Sequence, residues 1–193
     1  KFGEGVLTYQ NDMVEWKIKA RSEHVPKFPD DRPRKTQRVF IDLVCGDPYF
    51  SDVEGVRTDI AVWEPKFEFV LEIPEDEGIE FGSYSESLIG TVPNNGHVDT
   101  GMIIMFKALG TVTNPYLINV ETLELIYLDY VMVSGEVVTV NTELGQKSAV
   151  SSRNGTITNI FNQISYDSSF LRLELGDNLF RYGAQFNEKQ LEV

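Results

Sequence analysis

The sequence predicts an all-β protein of two units, the second a β-sandwich or jelly roll. Three observations carry that expectation. Apolar residues recur with a period of two in several segments, the mark of strands with one covered face. Turn signals separate those segments at intervals on the order of ten to twenty residues, as in sandwiches. Charge is split unevenly: residues 1–56 hold nine Lys/Arg against ten Asp/Glu, and residues 57–193 hold eight against twenty. Such asymmetry predicts two units in different surroundings.

The first strand is Val14–Arg21, where Val14, Trp16, Ile18 and Ala20 alternate with Glu15, Lys17, Lys19 and Arg21. One face is apolar and the other highly charged, so the strand is half-buried and Trp16 is expected in the core. The charged face is expected to be solvated, because exposed ion pairs contribute little. His24 to Lys35 follows, with three of the eight prolines and no periodicity. Each proline removes a ladder donor, so this stretch reads as an exposed excursion. Val39, Ile41, Leu43 and Cys45 form the next alternating strand. Cys45 is the single cysteine. It excludes an internal disulfide framework and reads as a small buried hydrophobe.

Trp63 precedes Glu64-Pro65 at the expected junction, where a packing role is the better reading. Phe67, Phe69, Leu71 and Ile73 alternate as a further strand. Met102–Leu109 and Leu123–Val133 are apolar on both faces and read as central strands. Turns are expected at Asn94-Asn95-Gly96, Ser134-Gly135, Leu144-Gly145-Gln146, Arg153-Asn154-Gly155 and Gly176-Asp177-Asn178. Ile157, Ile160, Phe161 and Ile164 have helical spacing, yet the segment is short and rich in β-branched residues. A strand followed by a tight turn fits it better. Leu171, Leu173 and Leu175 form the last alternating strand. The resulting division is a β unit over 1–56, a sandwich over 66–184 and a tail over 185–193.

The chain offers little for catalysis. Its two histidines, His24 and His97, lie far apart and read as exposed loop residues, with no metal-ligand spacing. No serine elbow, P-loop or dinucleotide fingerprint is present. The carboxylates of Asp30-Asp31 and Glu75-Asp76-Glu77-Gly78 are sequence neighbours, whereas glycoside hydrolysis needs two facing each other across a cleft. The second cluster reads as a solvated acidic turn, with calcium the less favoured alternative. Tyr84 and Tyr116 are the loose candidates for a sugar-stacking platform. With Tyr127, Tyr130 and Tyr166 they are too dispersed to argue from. No catalytic, cofactor or metal residue is therefore assigned, and an enzyme is not expected. The formal charge of −13 disfavours nucleic acid, and no apolar run is long enough for a membrane helix.

From Arg38 onward the chain resembles the distal tail protein family of long-tailed, non-contractile bacteriophages. The likeness rests on Cys45-Gly46-Asp47-Pro48-Tyr49-Phe50 after a strand, and on the ordered segments between Phe67 and Ala184. These include FEFVLEI, Val92-Pro93-Asn94-Asn95-Gly96, GMIIMFKALG, Asn114-Pro115-Tyr116-Leu117-Ile118-Asn119, GEVVTVNT and Ser168 to Asn178. The resemblance implies a ring-forming amino-terminal domain, hexameric in the full-length protein, and a galectin-like carboxy-terminal sandwich. It implies a structural hub in the virion, at the tail tip or baseplate. Its implied partners are the tail tube protein, the tail-tip protein and a receptor-binding protein. The alternative is a carbohydrate-binding sandwich for host-surface glycans, although the galectin pattern of His, Asn, Arg and a stacking Trp is missing. The first unit is shorter than a complete ring domain, so further sequence before Lys1 is expected.

Overall fold

A computed structural model describes residues 3–29, 38–52, 55–60, 63–65, 82–84 and 88–193. The chain divides into two compact units, Lys1–Arg57 and Thr58–Val193. The protein is all-β, with antiparallel pairing throughout the described sheets.

The first unit is one small sheet. Strand β2 (Glu15–Ser22) lies between β1 (Gly5–Gln10) on one side and β3 (Leu43–Val44) and β4 (Ser51–Asp52) on the other. The β1–β2 turn is closed by Asn11, whose Oδ1 accepts the N–H groups of Met13 and Val14 at 2.9 and 2.8 Å. An asparagine there mimics a backbone turn. The alternation expected for β2 is present, since Ile18 and Ala20 are buried while Glu15, Lys19 and Arg21 are exposed. Two expectations fail here. Val39, Ile41 and Leu43 are exposed, and only Leu43–Val44 pairs as strand, aided by a bridge between Lys27 and Phe40. Cys45 is half-buried rather than enclosed. A single sheet covers one face of its strands only where something packs on it, and periodicity cannot say what does.

The second unit is a β-sandwich. One sheet runs β10 (Leu125–Tyr127), β9 (Val112–Asn119), β15 (Gly176–Phe186), β7 (Ile89–Asn94), with β11 (Val131–Met132) also on β9. The other runs β14 (Thr156–Asn159), β13 (Ser148–Arg153), β12 (Val137–Asn141), β8 (Ile103–Ala108), β16 (Leu191–Glu192). A separate two-stranded piece pairs β5 (Trp63–Pro65) with β6 (Gly82–Tyr84). Phe106, Val138 and Val140 of one sheet share a single core with Leu117, Phe180 and Tyr182 of the other. Asn154 (φ 49°) and Gly155 (φ 80°) form the two-residue β13–β14 turn, a left-handed pair suited to the twist of a hairpin.

Several elements differ from expectation for identifiable reasons. Met102–Leu109 is not covered on both faces: Ile104, Phe106 and Ala108 are buried, but Ile103 and Met105 are exposed. Leu123–Val133 is two strands, because its partner β9 carries Asn114 (φ 52°) and Pro115 opposite the break. Proline has no N–H to donate, and the left-handed residue before it bends the ladder. Leu123 itself has φ 60° and sits in a turn. Leu171–Leu175 forms no strand beyond a bridge between Leu173 and Thr100. There Asn178 substitutes for a neighbouring strand, accepting the Glu174 N–H at 2.9 Å and donating to the Glu174 carbonyl at 2.9 Å. Asn94 likewise donates to the Leu173 carbonyl at 3.1 Å. Gly176-Asp177-Asn178, expected as a turn, opens β15 instead.

Residues 185–193, expected as a tail, lie within the second unit: β15 runs to Phe186, and Leu191 pairs with Ala108. The 157–164 segment is β14 followed by a 3-10 turn at Phe161–Gln163, matching the strand-then-turn reading. The strand expected over Phe67–Ile73, the Glu75–Gly78 turn, Asp30-Asp31 and most of the proline-rich excursion lie outside the described residues.

Candidate functional site

No group of three or more His, Cys, Asp or Glu side chains with metal-holding geometry occurs among the described residues. His24 and His97 are exposed, and His24 Nδ1 lies 3.9 Å from Glu23. What the fold does bring together is aromatic side chains, in three places among the described residues, the third being Phe161 stacked on Phe170 at 6.0 Å with Lys147 Nζ 4.2 Å from the Phe170 ring centroid.

In the first unit, Tyr9 of β1 pairs directly with Trp16 of β2. Their rings stack with centroids 5.9 Å apart, and Phe50, just before β4, lies 6.3 Å from Trp16. All three remain open, at 49%, 41% and 52% exposure, with Leu7 beside them on the same face of β1. Trp16 is therefore not a core residue. Alternation placed it correctly on the apolar face, but only Ile18 and Ala20 of that face are covered. Together these side chains leave an open apolar face on this sheet.

In the second unit, Tyr116 of β9 pairs with Tyr127 of β10 on one side and with Gly183 of β15 on the other. The two rings are nearly parallel, at 17°, with centroids 6.3 Å apart. They lie on the outer face of their sheet, while Leu117 and Ile126 point into the core. Arg181, two residues from Gly183 along β15, shares that face and is exposed. At the other end, Asn114 Nδ2 donates to Gln185 Oε1 at 2.7 Å. Tyr116 was a candidate from sequence. Its pairing with Tyr127 had no signal there, because it depends on strand register. Trp63 and Tyr84 are paired residues of β5 and β6, and their side chains lie outside the described structure.

One buried polar cluster is structural in character. Glu136, 3% exposed, receives the Tyr130 hydroxyl at 2.6 Å, the Val133 N–H at 2.9 Å and the Ser151 hydroxyl. Burial opposes ionisation of Glu136. The donors from Ser151, Tyr130 and Val133, with the positive charge of Arg153, outweigh it and hold the carboxyl below the usual glutamate range. The same hydrogen bond to Glu136, followed by burial, raises Tyr130 above the usual phenol value. Every acceptor position in use faces a protein donor, so this carboxylate serves to close the β11–β12 turn.

Residues 95–192 match the sequence profile of the family described as siphovirus-type tail component, C-terminal domain. A solved structure of the phage p2 baseplate, in its activated conformation with Sr, contains a chain that aligns with a TM-score of 0.44 and 7% identity. The alignment covers 92% of the present chain and 66% of that chain. No curated protein matches the sequence.

Proposed function

We propose, on the premise that the chain belongs to the siphovirus-type tail component family, that it is a structural hub of a phage tail tip, joining the tail tube to the host-recognition apparatus. The observation that carries this reading is the open Tyr9–Trp16–Phe50 face of the first unit, taken with the family match carried by the second. Among the described residues of that unit the buried apolar side chains are Ile18 and Ala20, so a partner covering the open face would add hydrophobic stabilisation. In a ring, the partner is the next copy of the same chain, met through a head-to-tail interface. The hexamer, the tail tube protein, the tail-tip protein and a receptor-binding protein belong to this proposal, as does location at the tail tip. The work is structural rather than catalytic.

The test is molar mass by light scattering over a range of protein concentrations. Growth to a closed oligomer, hexameric on this reading, supports it. A strict monomer at every concentration overturns ring formation through the first unit.

A further inference from the structure

We infer that the edge strand β14 is a self-association site, at which a second copy of this chain adds its own β14 antiparallel about a two-fold axis at Thr158. Sheet edges present unpaired N–H and C=O groups, and proteins shield them with short strands, prolines, charges or covering segments. In the second unit the other described edges carry such shields. β11 and β16 are two residues long. β7 contains Pro93, which has no N–H to offer. β10 is covered by the segment after the 3-10 turn, where Ser165 and Ser169 donate to the carbonyls of Tyr127 and Leu125 at 2.9 and 2.7 Å. β14, with the sequence TITN, has no proline and no charge. It is exposed along its whole length and pairs with β13 alone among the described strands.

The hairpin fixes which backbone groups are open. In a two-residue turn the flanking residues, here Arg153 and Thr156, form a hydrogen-bonded pair, and bonded and non-bonded pairs then alternate along the ladder. Ser151–Thr158 is therefore a bonded pair. Ile157 and Asn159, opposite Ser152 and Val150, turn their N–H and C=O groups away from β13. The Ile160 N–H returns to the Ala149 carbonyl at 2.9 Å, in step with that alternation. Rotation about Thr158 sets Ile157 against the partner's Asn159 and Asn159 against the partner's Ile157, each pair exchanging two backbone hydrogen bonds. The same register keeps the outward faces of both sheets on one side, because opposed residues of an antiparallel pair share a face. Such a contact is isologous, so each copy is its own complement.

Charge points to the same occupant. On the outward face of this sheet the charged residues among the described strands are Lys107 and Glu192, which pair at 2.7 Å. Residues 57–193 hold eight Lys/Arg against twenty Asp/Glu, so two copies repel except where a neutral margin meets its like. That margin offers a foreign strand no charge to select it. Ile157 and Phe161, 72% and 43% exposed, supply apolar surface beside the backbone pairing. The inference is independent of the ring proposed for the first unit, since every residue it uses lies in the second.

The experiment combines light-scattering mass with hydrogen exchange on the whole chain, over concentrations reaching the millimolar range. The chain carries Trp16→Glu, which removes the contact proposed for the first unit. The expected result is growth to the mass of a dimer and no further. As the dimer fills, exchange at the Ile157 and Asn159 amides should slow by about tenfold or more. Ile157→Lys, a charge on the edge, should weaken association by about tenfold or more, and Ile157→Val should associate as the parent does. The position is exposed, so the melting transition of the second unit should be unchanged in both variants. A chain that stays monomeric throughout, or mass that grows past a dimer, overturns the contact. So does a dimer untouched by Ile157→Lys, or one whose Ile157 and Asn159 amides exchange as fast as in the monomer.

Discussion

Tyr116 lies across Gly183, its paired neighbour on β15, so closely that the glycine has no room for a methyl group. The cause is the hydroxyl end of a bulky ring resting on the neighbouring strand, which needs a bare backbone beneath it. Gly183→Ala should therefore lower the stability of the second unit by about 1–3 kcal/mol, the usual cost of overpacking. The obstructing atoms are the far end of a side chain that can swing away. In a Tyr116→Ala background the same substitution should cost much less, and a double-mutant cycle by chemical denaturation measures the difference.

Gly101 provides the contrast. A Cβ there would collide with the backbone of Glu143 and Thr142, and backbone cannot swing aside. Gly101→Ala should cost more than Gly183→Ala, at about 3 kcal/mol or above, with no rescue from trimming any side chain. Melting temperatures of the two variants, compared side by side, decide this ordering.

Glu136 ties stability to pH. Its folded carboxyl titrates below the ordinary value of 4.5, so its contribution is fully present above that value. It is lost as pH falls through the lower, folded value. Unfolding midpoints of the parent should fall steeply below about pH 4.5, and those of Glu136→Gln should fall less. At neutral pH, Glu136→Ala should destabilise by about 2–4 kcal/mol, because Tyr130, Ser151 and the Val133 N–H all lose their acceptor.

Asn178 is the second buried polar group whose removal should be costly. It holds Glu174 by both its N–H and its carbonyl, in place of a strand. Asn178→Leu, which keeps the branching but not the polar atoms, should cost about 2–3 kcal/mol or more through unsatisfied backbone groups. Hydrogen exchange at the Glu174 amide, protected in the parent, should become fast in the variant.

Trp16→Glu tests the assembly face. A charge placed beside Tyr9 and Phe50 should weaken self-association by about tenfold or more, as expected at the centre of an interface. The concentration dependence of light-scattering mass reads this directly, and the second unit's melting transition should not change.

The all-β class and the strand-then-turn at 157–164 were legible because both depend on neighbours in sequence. So was the tight turn at Asn154-Gly155, where two residues suited to positive φ stand together. The candidate surfaces were legible only in part. Period-two alternation placed Trp16 on the apolar face of β2 but could not say whether that face is covered. Apolar residues on both faces of Met102–Leu109 suggested a strand covered twice, yet the sheet covers one side only.

By itself, then, the sequence determined the all-β class, the face of β2 that carries Trp16, Ile18 and Ala20, and the tight turn at Asn154-Gly155, each a matter of residue type and local spacing. The tertiary structure alone decided that Pro115 breaks the facing strand in two, that Asn178 replaces a strand at Glu174, and that Tyr116 meets Tyr127 over Gly183. Those outcomes follow from register across strands distant in sequence. Register is fixed by the whole sandwich burying its core at once, because a one-residue slip would turn every buried side chain outward.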